Sequence, residues 1–334
     1  MIKIISIQEA YKRKIERQER LKGLKFQCHG SCAYVGEDIS PGCYPCFYSD
    51  ACTCGPILNW DLGLPEVCNR DCVYCFKPHI VQQDYSVPDE WKFSEDWKRG
   101  VIKYVMEEKQ RIISDCKMQY YNFTGICEPL LYFPVLEQTM GFFRNVIDPL
   151  MGVKGWAKIY TNGTLLNRDN VLKLKDLGFD EVRIHPGATN FSKEVYDSMR
   201  LAVKHIPTVT VETPSWPPHR RKLFEMLPLL EDIGVKHLDI CQVEIFSIAQ
   251  LEKIERALGE IELYQAYYPM LEDGGLVEDI MKKVLEKGYT YSVIDCNGFV
   301  KQNMMSVGRF HSFWSVLNQK YPPEWEKQRY ERKL

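Results

Sequence analysis

The sequence has no run approaching the roughly 20 apolar residues that span a bilayer. Its opening, MIKIISIQEA, is interrupted by polar residues too soon for a secretory leader. Both absences point to a soluble protein of the cytoplasm, with no membrane partner. The net charge is only −2 over 334 residues. No global field therefore steers the chain to nucleic acid or an acidic surface, although nucleic acid stays open as a partner. No Gly-x-Gly-x-x-Gly follows the first strand pattern, which weighs against a dinucleotide-binding fold.

What the chain has in excess is cysteine. There are 13, and nine of them lie between Cys28 and Cys75. With no secretory leader, such density points to metal rather than disulfides. Cys116, Cys241 and Cys296 are scattered, as structural cysteines usually are.

Three regions separate: 1–66, 67–260 and 261–334. In the first, Ile7–Lys25 carries Lys12, Arg13, Lys14, Arg17, Arg20 and Lys22 with few core residues. It reads as a helix facing solvent or a partner. A Cys-rich loop segment without periodicity follows. In the second region, apolar runs alternate with helical patterns. Strands are expected at Met118–Thr124, Trp156–Tyr160, Glu181–His185, Thr208–Glu212 and His237–Val243. Helices are expected at Ser94–Ile113, Pro134–Val146, Arg168–Leu177, Ser192–His205, Arg220–Ile233 and Ser247–Leu258. β-Branched and aromatic runs ending in Gly or Pro, each followed by a helix, indicate βαβ units. With a strand near Leu64–Val67 the total is about six units. The expected fold is α/β, a partial (β/α)6-type barrel with a Cys-rich N-terminal loop and a C-terminal extension. Functional residues of such a fold sit at the C-terminal ends of its strands. The third region adds strands near Leu263–Tyr268 and Tyr289–Asp295, and a helix at Gly275–Lys287. Its tail bears Phe310, Phe313, Trp314, Tyr321 and Trp325, suited either to capping the barrel or to holding substrate.

The strongest chemical signal is Cys68-Asn-Arg-Asp-Cys72-Val-Tyr-Cys75-Phe76. Three thiolates can hold three irons of a cubane cluster and leave the fourth iron open to a ligand. Tyr74 and Phe76 flank the last Cys and can shield such a cluster. The competing reading is a zinc site, but zinc favours four closed ligands on paired CxxC knuckles.

CxxxCxxC followed by an aromatic resembles the signature of the radical S-adenosylmethionine superfamily. Two downstream segments agree in order. Gly125-Ile-Cys127-Glu128-Pro129 resembles its Gly-Glu-Pro motif, with Cys127 where Gly is usual. Tyr160-Thr161-Asn162-Gly163 resembles its Thr-Asn-Gly strand end. The resemblance covers roughly residues 64–245. It implies a [4Fe–4S] cluster on Cys68, Cys72 and Cys75, and S-adenosylmethionine held near Tyr74, Phe76, Gly125, Glu128, Thr161, Asn162 and Arg183. It also implies reductive cleavage of that cofactor to a 5′-deoxyadenosyl radical, with electrons from a ferredoxin or flavodoxin. His185 is a further candidate contact.

Cys43, Cys46, Cys52 and Cys54 supply four more thiols within twelve residues, and Cys28 and Cys32 are candidate additions. Such a set suits tetrahedral iron or zinc, or an auxiliary iron–sulfur cluster. A Cys-rich loop ahead of the radical motif resembles, in arrangement, the archaeal radical methyltransferases that modify an arginine of methyl-coenzyme M reductase. That likeness makes cobalamin a candidate cofactor and Tyr104 a candidate for approaching the open iron.

Three function classes compete. One is a radical enzyme acting on a protein or peptide, for example a C-methyltransferase. Its close alternative is a glycyl-radical-enzyme activase. The third is a non-catalytic, zinc-stabilised binding protein, which would be colourless when purified without oxygen.

Overall fold

A computed structural model describes residues 2–27, 32–43, 57–59, 67–75, 80–83, 95–111, 120–123, 128–264 and 269–296. Its centre is a sheet of seven parallel strands: β4 (Ile57–Asn59), β7 (Tyr120–Phe123), β8 (Trp156–Thr161), β9 (Glu181–Ile184), β10 (Thr208–Pro214), β11 (His237–Cys241) and β14 (Ser292–Cys296). These lie in the order β14-β11-β10-β9-β8-β7-β4. Two antiparallel strands, β2 (Lys25–Gln27) and β3 (Cys32–Val35), extend the sheet beyond β14. The edges β2 and β4 are not paired to each other among the described residues, so this is an open α/β sheet of the partial-barrel kind.

Helices cross between the strands at nearly the expected positions. They include α2 (Glu95–Arg111), α3 (Phe133–Phe142), α4 (Asp148–Met151), α5 (Arg168–Asp176), α6 (Lys193–Ala202) and α7 (Arg220–Ile233). The sequence punctuates them. Asn167 caps α5 by accepting from the Asn170 N–H, and Gly234, at φ +84°, stops α7 in the left-handed region. Between α3 and α4 the backbone widens into a π-turn at Phe143–Ile147. There Phe143 stacks on Tyr121 of β7 with ring centroids 4.3 Å apart. Helix α7 shows how burial follows spacing. Leu223, Met226, Leu227, Leu230 and Ile233 recur at helical intervals and all are buried. They meet Val209, Val211 and Leu238 of the sheet in one continuous core.

Three expectations need correction. The strand near Leu64–Val67 forms as β5 (Val67–Cys68), but it pairs with β6 (Ile80–Val81) in a separate ribbon. Beside β7 stands β4 instead. Next, the N-terminal helix is α1 (Ile7–Gln18), and it is not a solvated appendage. Its Lys14 is buried, with Nζ 2.7 Å from Glu278 and 2.6 Å from Asp295. Burying a lysine is costly unless it is paired, and here two carboxylates supply the pairing. Finally, β14 comes from the region expected to lie beyond the barrel, yet it adds to the parallel sheet beside β11. Strands from all three sequence regions thus share one sheet.

A second, small sheet joins β1 (Ile2–Ile5), β12 (Ile261–Tyr264) and β13 (Met270–Leu271). It is packed by α8 (Ile248–Leu258). Helix α9 (Leu276–Lys287) then leads back to β14. No helix among the described residues is long and apolar enough to cross a membrane.

Candidate active site

Because the central strands are parallel, their C-terminal ends share one edge, and the cysteine loop lies against it. Strand β5 ends in Cys68, and the chain then turns tightly, the Cys75 N–H donating to the Cys72 carbonyl at 3.0 Å. Glu128 lies beside this loop. Its N–H donates to the Val67 carbonyl at 3.2 Å, and the Tyr132 hydroxyl accepts from the Val67 N–H at 3.0 Å. The turn after β7 therefore pins the start of the loop.

The Glu128 carboxylate is fully buried and reaches the next strand end. Oε1 accepts from the Thr161 hydroxyl at 2.8 Å, and Oε2 accepts from the Asn162 N–H at 2.8 Å. The Asn162 side-chain amide continues the connection. Its Nδ2 donates to Asn69 Oδ1 at 2.7 Å and points at Cys68 Sγ from 3.9 Å. Its Oδ1 accepts from Thr164. Three segments far apart in sequence thus meet through one hydrogen-bonded chain. Burial pushes Glu128 up to about 7, against the opposing pull of the Asn162 and Thr161 donors.

The opposite wall is aromatic. The Tyr74 hydroxyl bonds His185 Nε2 at 3.1 Å. The Tyr74 ring also packs against Trp216 and, edge-on, against His219. Gln250 of α8 donates to the Tyr74 carbonyl at 3.0 Å. Gly187 makes this fit possible: a Cβ there would come within 2.8 Å of the Tyr74 hydroxyl. Burial and His219 push His185 down to about 4, which keeps it neutral at physiological pH. A cleft of about 400 Å³ opens here, lined by Cys72, Tyr74, Gly187, Trp216 and His219 among others.

The donor set fits a cubane cluster. Burial, with Cys75 and Cys68 beside it, pushes the Cys72 thiol up to about 12, and burial, with a smaller push from Cys75, raises Cys68. The three thiols therefore lie close enough to act on one another. The wall fits a polar ligand as well. His219 Nδ1, Thr213 Oγ1 and Ser215 Oγ are buried with no hydrogen-bond partner among the described residues. Buried polar atoms of this kind are normally satisfied by a bound group or water.

Other expected residues lie elsewhere. Arg183 is buried below the strand ends. Its guanidinium is held by Glu181 at 2.8 Å, Glu212 at 2.6 Å and Asp239 at 3.0 Å, and by Cys43 Sγ at 2.9 Å. It organises an internal charge cluster. Cys43 is part of that cluster, because the short turn Pro41–Cys43 enters the sheet's interior and the Lys158 amine caps the Gly42 carbonyl. Cys28, Cys46, Cys52, Cys54, Phe76, Gly125 and Cys127 lie outside the described residues, as do the side chains of Cys32 and Tyr104. Sequence reading did not foresee that Cys241 and Cys296 would meet. They stand in register on β11 and β14. The signal available was two strand patterns each ending in Cys, but nothing local made them neighbours.

No family model matches the chain. Over 210 residues it is 24% identical to a provisionally named glycyl-radical enzyme activating enzyme of Methanocaldococcus jannaschii, covering 58% of this chain and 49% of that protein. Over 161 residues it is 26% identical to an uncharacterized protein of the same organism, 44% of each chain being covered. The chain spans about half the length of the curated relatives it matches. Two solved structures are also similar. One is native anSMEcpe with bound AdoMet, with a TM-score of 0.42 and 16% identity over 55% of this chain and 51% of that one. The other is Streptococcus suis SuiB bound to S-adenosylmethionine, with a TM-score of 0.46 and 11% identity over 72% and 50%.

Fold and site together define an open α/β sheet with a three-thiol loop against the C-terminal edge of its parallel strands. The three segments that resemble motifs of the radical S-adenosylmethionine superfamily in the sequence, at Cys68–Cys75, Glu128 and Thr161–Asn162, meet at this edge.

Proposed function

We propose that this chain binds a [4Fe–4S] cluster at Cys68, Cys72 and Cys75, reductively cleaves S-adenosylmethionine, and acts on a protein substrate. The observation that carries the reading is the Glu128 carboxylate, which ties the Thr161-Asn162 strand end to the cysteine loop. When bound, a cluster of this kind supplies the electron that splits the cofactor into methionine and a 5′-deoxyadenosyl radical.

The chain's own residues supply placement. Glu128 and Asn162 fix the loop from beneath. A carboxylate at this edge also presents an acceptor to the amino group of a bound amino acid. Tyr74, His185 and Trp216 form an apolar wall with polar tips, suited to a nucleoside. The neutral His185 holds the Tyr74 hydroxyl without adding charge. The cleft beside Cys72 opens outward, as entry of a protein segment requires.

The name of the first M. jannaschii relative favours activation of a glycyl-radical enzyme. We rank that reading beside modification of another protein or peptide, C-methylation included. Cytoplasmic location and a ferredoxin or flavodoxin donor fit either, because both need reduced thiols. Cys43, Cys46, Cys52 and Cys54 would form a second site for iron or zinc under either reading, and cobalamin as a further cofactor belongs to the methylation reading alone.

The test is metal content. Protein purified without oxygen and reconstituted should be brown, hold iron and sulfide in equal amounts, and lose both in Cys72→Ala. Colourless protein holding zinc alone would instead support the metal-stabilised binding protein.

A further inference from the structure

Strands β11 and β14 run side by side with Cys241 opposite Cys296. Asp239 lies two residues before Cys241, so both side chains leave the same face of the sheet. A carboxylate oxygen of Asp239 and the two sulfurs consequently lie within 4.8 Å of one another. The surroundings complete a site. The Cys241 thiol donates to Glu212 Oε1 at 3.4 Å. On the other side, Cys43 Sγ is 3.6 Å from Asp239 Oδ2. Arg183 Nη1 bonds both Glu212 Oε2 and Asp239 Oδ2, which fixes the two carboxylates. Outer partners of this kind orient carboxylates that hold a metal.

We propose that Asp239, Cys241 and Cys296 bind a thiophilic divalent cation of the zinc type, with Glu212 nearest the fourth position. Mixed sulfur and oxygen donors suit zinc, whereas magnesium and calcium take oxygen alone. The exchange balances: one divalent cation enters and two thiol protons leave, so the charge of the pocket is unchanged. The site shares no donor with the Cys68–Cys75 loop and does not depend on the radical reading.

The test uses the full chain, reconstituted with iron and sulfide and then supplied with zinc. Zinc and iron are both measured, and absorption at the zinc edge reports the ligands. About one zinc per chain is expected, in a shell of both sulfur and oxygen. In Cys241→Ala, zinc should fall at least tenfold while iron is unchanged. Cys296→Ser serves as a second variant if the first does not fold. The proposal is overturned if the wild type takes up no zinc, if zinc persists in both variants, or if the shell is all sulfur and is lost with Cys46→Ala and Cys52→Ala. Wild-type protein that takes up zinc in this shell but no iron and sulfide would sink the radical reading and leave this one standing.

Discussion

Glu128 accepts the Asn162 N–H at 2.8 Å, and through this bond two strand ends and the cysteine loop become one unit. The carboxylate is fully buried and accepts from the Leu130 N–H, the Thr161 hydroxyl and the Asn162 N–H, but burial outweighs these donors. Its acidity is therefore weakened, to about 7.

That shift has a sign. The folded state holds a proton on Glu128 up to about pH 7, whereas the unfolded chain releases it near 4.5. Between those values the folded state binds more protons, so this group's contribution falls as pH rises, by about 3 kcal/mol in all. His185 and His237, both pushed down to about 4, act oppositely and favour folding as pH rises through the same window. Glu128→Gln should remove only the first effect. Urea unfolding at pH 5 and pH 8 should show the variant gaining on the wild type at the higher pH. A constant difference would contradict the assignment.

Asn162→Ala deletes the bond to Asn69 and the contact with Cys68 while leaving the backbone bond to Glu128. A buried acceptor is left unmet, at about 1–3 kcal/mol. Thermal melting should fall accordingly, and reconstituted iron should be retained less well than in wild type.

Gly187→Ala places a methyl group against the Tyr74 hydroxyl and the His185 ring. Overpacking of this kind costs about 1–3 kcal/mol. The near-ultraviolet dichroism of the Tyr74–Trp216 pair should change, while far-ultraviolet dichroism is preserved.

Arg183→Met leaves Glu181, Glu212 and Asp239 facing one another around a neutral side chain. Breaking a buried ion pair from one side costs about 3–5 kcal/mol. We expect marked destabilisation in chemical denaturation, and Arg183→Lys should not restore it. Lysine lacks the planar fork that bonds several partners at once.

The periodic elements were legible in the sequence, because α7 and β8 through β11 carry strong patterns with clear stops. So was the cysteine loop, since its three cysteines are local in sequence. What stayed hidden was long-range. Lys14 looks like any surface lysine until Glu278 and Asp295 arrive from the far end of the chain. Cys43 looked like part of a self-contained loop, yet the turn at Pro41–Cys43 carries it to Arg183. Cys241 and Cys296 become neighbours only because β14 inserts beside β11, and strand order leaves no local mark.

The most direct test of the central claim is 5′-deoxyadenosine formation by the anaerobically reconstituted chain with dithionite and S-adenosylmethionine. The account predicts that the product accumulates with wild type, and that Cys72→Ala, folded by circular dichroism, makes none. A wild-type chain that holds its full complement of iron and sulfide yet leaves the cofactor intact would contradict it.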